Sequence, residues 1–194
     1  MARFLQAAFA LIVLLVAPML SAQDAPRAEI FGGYSLIHRS SDTMNGWDGA
    51  LTANLNSWFG VTADVSGHYV TDTTALFLPL TPSSPIAVSK VHAYSFTAGP
   101  RFSYRKSRYT LFAHGLVGVS HFGSTTQITG PTPMTVSGSD NAFTTFLGGG
   151  IDIPVAHRLA VRPVQAEYLF LRIHGFNVNQ FRYSAGLVFR FGQR

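Results

Sequence analysis

The chain has 194 residues, 47% of them hydrophobic and only 12% charged, with a formal net charge of +5 and no cysteine. A typical soluble domain carries about 25% charged residues, and a water-facing β-surface draws on Lys and Glu; here lysine occurs only at Lys90 and Lys106 and glutamate only at Glu29 and Glu167. The composition therefore argues against a soluble β-domain, the missing cysteines against a disulfide framework, and the scattered arginines against a nucleic-acid groove, which needs a concentrated basic stripe.

The chain opens with Arg3 and then runs from Ala7 to Leu20 without a polar residue before "SAQDAPR". A short basic start, an apolar run of about 14 residues and a small residue at Ala22 form the pattern of a secretory signal peptide, too short for a spanning anchor. Residues 1–22 are expected to be removed, leaving 23–194 as one domain. No later apolar run is long enough for a transmembrane helix. An exported chain with an apolar surface and no spanning helix is expected to close into a β-barrel.

Eight segments alternate in the period of two that marks a strand with different environments on its two faces. The first, Arg27 to His38, has apolar residues on both faces. The second sets Trp47, Gly49, Leu51, Ala53 and Leu55 against Asp48, Ala50, Thr52, Asn54 and Asn56. The third sets Phe59, Val61, Ala63, Val65, Gly67 and Tyr69 against Gly60, Thr62, Asp64, Ser66 and His68. The fourth sets Tyr94, Phe96 and Ala98 against Ser95, Thr97 and Arg101.

The fifth, Tyr109 to Ser120, opposes Leu111, Ala113, Val117 and Val119 to Thr110, His114 and Gly118, but Phe112 and Leu116 share the polar face. The sixth alternates around Phe143, Leu147, Ile151 and Ile153, with Phe146 an intruder among Thr144, Gly148 and Asp152. In the seventh, Leu159 to Leu171, Gln165 and Glu167 define one face while Arg162 has the opposite parity. A bulge near Pro163 restores the pattern, and so does an arginine snorkelling at a membrane rim. The last opposes Phe181, Tyr183, Ala185, Leu187, Phe189 and Phe191 to Arg182, Ser184, Gly186, Val188 and Arg190.

Connections alternate too. Short ones are expected near Ser57, at 103–108 and at 154–158, and long ones at 39–46, 71–89, 121–140 and 171–179. The "RKSR" cluster, Arg105 to Arg108, is expected in a short turn facing anionic surfaces or lipid headgroups. Short turns on one side and long loops on the other are the mark of an outer-membrane barrel with both termini periplasmic. The expected fold is thus all-β: a closed, antiparallel, up-and-down transmembrane barrel of eight strands. Its phenylalanines face lipid and its arginines the lumen. Trp47 and Tyr69 near the loop side, and Trp58, Phe59, Phe189 and Phe191 near the turn side, are expected to sit at the membrane interfaces.

The stretches "AEIFGGYSLIH", "NLNSWFGVTADVSGHY", "YSFTAGPRFS", "FAHGLVGVSHFG" and the terminal "YSAGLVFRF" resemble the eight-stranded outer membrane protein β-barrel family, the OmpA-like and opacity-protein-like group. The resemblance covers most of the chain after the signal. It implies the outer membrane of a bacterium with two membranes, lipid and lipopolysaccharide neighbours, and assembly through the C-terminal strand by the barrel-assembly machinery. Relatives often end on an aromatic residue; here Gly192, Gln193 and Arg194 follow Phe191. The periplasmic peptidoglycan-binding domain of many relatives is not expected.

The fold hosts many activities, so function must be argued from the site. An eight-stranded barrel is about wide enough to be filled by side chains, and charges inside it need partners. Two pairs are expected, Glu29 with Arg190 across the closing seam and Glu167 with Arg182 on the last two strands. Asp64, Arg101 and His114 extend the network. The leading reading is a structural or surface-interaction barrel that meets an extracellular ligand through its loops. The alternative is a narrow pore for ions or small solutes. A remote alternative is a lipid A-modifying enzyme built on Ser120, His121, Ser124 and Asp140, but no acid is fixed near the histidine by spacing, so no enzyme is expected. His38, His68, His92 and His174 lack metal-ligand spacing, and no cofactor is expected.

Overall fold

The structure, a computed structural model, describes residues 25–39, 43–75, 86–130, 133–173 and 176–192. The expected signal peptide, His174 and Arg194 lie outside them. Eight antiparallel strands follow in chain order: β1 (Ala28–His38), β2 (Thr43–Asn54), β3 (Phe59–Ala75), β4 (Ile86–Arg105), β5 (Thr110–Thr129), β6 (Met134–Ala156), β7 (Leu159–Ile173) and β8 (Phe176–Phe191). Each pairs with its sequence neighbours, and β1 pairs with β8 from Ala28↔Phe191 to His38↔Phe181, closing the barrel. Closure satisfies the backbone where lipid offers no hydrogen bonds.

Alternation decides the facing. Ile30, Leu51, Val61, Phe96, Val117, Val119, Phe143, Leu147, Leu187 and Phe189 are exposed on the outside, whereas Glu29, Asp48, Thr52, Asp64, Arg101, His114, Glu167 and Arg182 are buried inside. Phe181, Tyr183, Phe189 and Phe191 of β8 point outward and Arg182 inward.

The three irregular segments resolve differently. In β1 the inward face carries Phe31 and Ile37 beside Glu29, and in β5 Phe112 and Leu116 flank His114. In β7 the pairing with β8 shifts between Arg162 and Gln165, around Pro163. This bulge lets Arg162, Gln165 and Glu167 all face inward; Arg162 is buried rather than snorkelling. Proline suits the position because it has no N–H to give to a ladder.

The connections at the terminus-bearing end are short: 55–58, 106–109 and 157–158. In the first, the Asn56 Oδ1 accepts the backbone N–H groups of Trp58 (3.0 Å) and Phe59 (2.6 Å), a side-chain-closed turn of the kind asparagine favours. The opposite end differs from expectation. The tract 121–140 is mostly strand, with only 130–133 between β5 and β6, and β3 and β4 reach to Ala75 and Ile86. Threonine and valine in "STTQIT" and "MTVS" favour pleated backbone, and the polarity that marked the tract as loop reflects solvent on both faces. As a result β3 to β6 are 17, 20, 20 and 23 residues long, against 11, 12, 15 and 16 for β1, β2, β7 and β8. One half of the barrel wall rises past the other as a four-stranded lobe, on the order of 20 Å along the strands.

Candidate functional site

Inside the barrel, each charge enters from the inward parity of its strand, and the charges meet in two layers. Nearer the short turns, Asp152 on β6 takes two guanidiniums. Arg162 donates from Nε to Oδ1 at 2.7 Å and from Nη2 to Oδ2 at 3.1 Å, and Arg101 donates from Nη2 to Oδ2 at 3.1 Å. The same Arg101 nitrogen is 3.2 Å from Glu29 Oε2, and Arg105 Nη1 is 2.7 Å from Glu29 Oε1. The guanidinium carbons of Arg101 and Arg162 lie 3.9 and 4.3 Å from the Phe112 ring centre, and that of Arg162 lies 4.2 Å from Phe31. Planar guanidinium stacks on an aromatic face, so these inward phenylalanines hold the arginines where they pair.

The second layer centres on Arg182. Its Nε and Nη2 bond Glu167 at 2.6 and 2.9 Å, Nη1 and Nη2 each bond Asp64 at 3.0 Å, and Nη1 bonds Ser66 Oγ at 3.0 Å. All five guanidinium N–H groups thus find acceptors, the condition under which a buried arginine is tolerated. Asp48 Oδ1 stands 3.8 Å away, and the Phe146 ring lies 3.9 Å from the guanidinium carbon. His114 Nε2 donates to Glu167 Oε1 at 2.8 Å. This bond crosses Gly148, which pairs with His114 on one side and Glu167 on the other. A Cβ there would run into the Ala166 carbonyl oxygen and lie 2.6 Å from Glu167 Cα and 2.7 Å from Glu167 Cγ, so only glycine leaves room. Gln165 joins the layers, accepting from Arg162 Nη1 at 2.6 Å and donating to Glu167 Oε2 at 2.9 Å.

Above the charges lies an apolar plug of Ile37, Met44, Ala93, Leu116, Ala142, Phe146, Leu169 and Leu171, with Val70, Val91, Phe122 and Val178 packed against it. On all eight strands the plug residue lies nearer the loop end than the inward charge of that strand: Ile37 above Glu29, Met44 above Asp48, Val70 above Asp64, and so around to Val178 above Arg182. Leu116 and Phe146 are 0% exposed, so the plug is dry at its centre.

The geometry brings Glu29, Asp64, Arg101, His114, Glu167 and Arg182 into the lumen, with Glu167 and Arg182 bonded to each other. The expected Glu29–Arg190 pair is corrected. The two residues are register partners across the seam, but the carboxylate reaches across the lumen to Arg101 and Arg105, and Arg190 Nη2 points to Thr110 Oγ1 at 3.5 Å. An interior narrow enough for side chains to fill lets a carboxylate on β1 reach guanidiniums on β4. Arg105 likewise leaves the expected turn cluster to enter the lumen.

Sequence reasoning passed over Asp48, Asp152, Arg162 and Gln165 as network members. The first two share the parity of the predicted charges and were within reach of that signal; the other two depend on the bulge. The "SHFGS" run lies in β5 with Ser120 inside, bonded to Ser95 and Thr144 at 2.7 Å, and His121 outside, bonded to Asn141 at 2.9 Å. Consecutive strand residues face opposite ways, so the run is not assembled as a catalytic pair.

On the outside, Tyr69 Oη donates to Tyr94 Oη at 3.0 Å near the loop end, and the Trp47 ring lies over Gly67, where a Cβ would come 2.7 Å from its Nε1. Near the turn end, Trp58, Phe59 and Phe102 form a cluster with ring centres 5.4–6.0 Å apart. Phe189 and Phe191 stand on the outward face of β8 at that same end.

A family model described as outer membrane protein beta-barrel domain matches residues 7–191. No curated protein sequence matches the chain. Among solved structures, the chain is similar to Ail, the attachment invasion locus protein of Yersinia pestis, at 18% identity and a TM-score of 0.57, over 85% of this chain and 99% of that one. A second structure of Ail, in complex with the heparin analogue sucrose octasulfate, aligns at 18% identity and a TM-score of 0.56 over the same 85% and 99%. The N-terminal barrel domain of Pseudomonas aeruginosa OprF aligns at 10% identity and a TM-score of 0.43, over 87% of this chain and all of that one. At such identities the likeness is one of fold.

Proposed function

The chain belongs to the outer membrane protein beta-barrel domain family, and on that premise we propose that it is a plugged outer-membrane barrel that works through the lobe of β3 to β6, outside the cell, rather than by conducting solutes. Residues 1–22 direct export, both termini lie in the periplasm, and the aromatic clusters at the two ends mark the membrane interfaces. The observation that carries this reading is the apolar plug stacked on a charge network whose central arginine has every N–H bonded. An ion entering from the loop end meets a dry apolar layer, and one entering from the turn end meets charges already paired; apolar constrictions block ions by excluding water. The lobe, in contrast, sets both faces of β6 from Met134 to Ser139 in solvent. That Ail has been captured in complex with a heparin analogue supports a ligand-binding role for this barrel.

The test is ion conductance of the refolded protein, residues 23–194, in a planar bilayer. The expected result is no discrete channel at any voltage the bilayer tolerates. Reproducible channels that change with Glu167→Gln or Arg182→Gln overturn the plugged reading. Attachment of bacteria displaying the protein to a heparin-coated surface then tests the lobe. Replacing residues 124–138 with Asn-Gly should abolish attachment while leaving the barrel folded.

A further inference from the structure

The arginines of the lumen are not equally satisfied. Arg182 has every N–H bonded, and Arg162 is held through Nε, Nη1 and Nη2 by Asp152 and Gln165. Toward the turn end, three buried guanidinium nitrogens have no hydrogen-bond partner: Nε of Arg101, Nη2 of Arg105 and Nε of Arg190. The three side chains surround one carboxylate. Glu29 Oε2 lies 3.2 Å from Arg101, its Oε1 takes Arg105 at 2.7 Å, and Arg190 is its register partner on the neighbouring strand. A buried N–H without an acceptor is costly, most of all on a charged group, so three around one point mark a missing acceptor. The charges are unbalanced in the same place. In the layer nearer the short turns Arg101, Arg105, Arg162 and Arg190 face only Glu29 and Asp152, because Asp48, Asp64 and Glu167 gather around Arg182 in the layer above. Around the mouth Arg27, Lys106, Arg108 and Arg158 are exposed, and among the described residues no exposed acid accompanies them at this end.

We propose that the turn-end mouth of the barrel is a binding site for a phosphate group, held by Arg105 and Arg190 with the Thr110 hydroxyl beside them. A phosphate carries the charge that four guanidiniums over two carboxylates leave uncompensated, whereas a neutral ligand would leave that surplus buried. Its oxygens accept N–H groups arriving from separate strands, and the planar arginine fork is the side chain best matched to them. Arg190 is half-buried and the Arg105 side chain is 8% exposed, so the ligand reaches them from the mouth. Glu29 is the competitor: it occupies part of the same guanidiniums and repels an incoming anion. The same chemistry serves a lipid headgroup folded over the rim and a soluble phosphate. The site lies at the end opposite the lobe and holds whether or not the lumen conducts.

The experiment titrates inorganic phosphate into the refolded barrel in maltoside micelles, which contain no phosphate, and follows the heat at constant ionic strength. One saturable site per barrel is expected. Arg190→Gln gives up only a 3.5 Å contact with Thr110, so the fold should survive, as checked by the heat-dependent shift in gel mobility. It should weaken phosphate binding about tenfold, the worth of one charge-assisted hydrogen bond. Arg105→Lys keeps the charge but loses the fork and should weaken binding by a similar factor. Glu29→Gln should do the reverse and tighten binding, because the competing carboxylate is gone; a loosened fold can only weaken it. Absence of a saturable site overturns the inference. So does equal weakening by Arg190→Gln and by Arg27→Gln at the exposed rim, since a diffuse ionic atmosphere responds to every rim charge alike. Titration in galactolipid nanodiscs carrying either phosphatidylglycerol or an equal charge of fatty acid then separates the sources. Competition by phosphatidylglycerol alone makes a lipid headgroup the occupant, and equal affinity in both discs makes it a soluble phosphate.

Discussion

The guanidinium carbon of Arg182 lies over the Phe146 ring, 3.9 Å from its centre, at the boundary between the charge network and the apolar plug. Phe146 breaks the alternation of β6, and this contact is the reason: the ring is the floor of the plug on one side and the shelf of the arginine on the other. Replacing it with alanine should cost about 3–5 kcal/mol, the usual range for a buried phenylalanine, read as a lower urea midpoint for unfolding from detergent micelles. Phe146→Leu, which restores the plug but not the stacking, should fall between the two.

Arg182 serves Glu167, Asp64 and Ser66, whereas Glu167 also receives His114 and Gln165. Arg182→Gln should therefore destabilise more than Glu167→Gln, by about 3–5 kcal/mol, because it strands several buried carboxylates at once. The double variant should cost less than the sum of the singles by more than about 0.5 kcal/mol. An additive double variant would show that the pair does not interact.

The lower layer offers a sharper comparison. Glu29 faces Arg190 in register but bonds Arg105 at 2.7 Å. Double-mutant cycles with glutamine at each position should give a larger coupling for Glu29 with Arg105 than for Glu29 with Arg190, measured by the same unfolding midpoint. A larger coupling for Glu29 with Arg190 would favour the seam pair over the bond across the lumen.

Gly148 lies beneath the bond between His114 and Glu167. Gly148→Ala places a methyl where no space exists, so it should destabilise the barrel by about 1–3 kcal/mol, the range for overpacking. The nearest obstacles are backbone atoms, the Ala166 carbonyl oxygen and Glu167 Cα, so in the variant Glu167→Ala the same glycine substitution should cost nearly as much. A much smaller cost in that background would locate the clash in the Glu167 side chain instead.

The two tryptophans stand at opposite ends of the outer wall, Trp47 near the long strands' rise and Trp58 in the first short turn. Single-tryptophan variants, Trp47→Phe and Trp58→Phe, should each be quenched more by lipids brominated near the headgroup than by lipids brominated near the bilayer centre, since interfacial aromatics sit at headgroup level. Strong quenching from the centre in either variant would remove that residue from the girdle.

The facing of each regular strand was legible in the residues themselves, because a side-chain period of two leaves no freedom once one face is apolar and the other polar. The bulge at Pro163 was legible as one of two ways to reconcile Arg162 with Glu167. What alternation carries no information about is distance across the lumen. That Glu29 reaches Arg105 instead of Arg190, and that Phe31, Phe112 and Phe146 belong inside as shelves for arginines, follows from closing eight strands on a width that side chains fill. Nor does polarity along a strand say where the strand stops. The serines and threonines of 121–140 look like a loop because solvent bathes both faces of a sheet that has left the barrel wall, and only pairing with the neighbouring strands, a property of the closed fold, extends β5 and β6 to Thr129 and Met134.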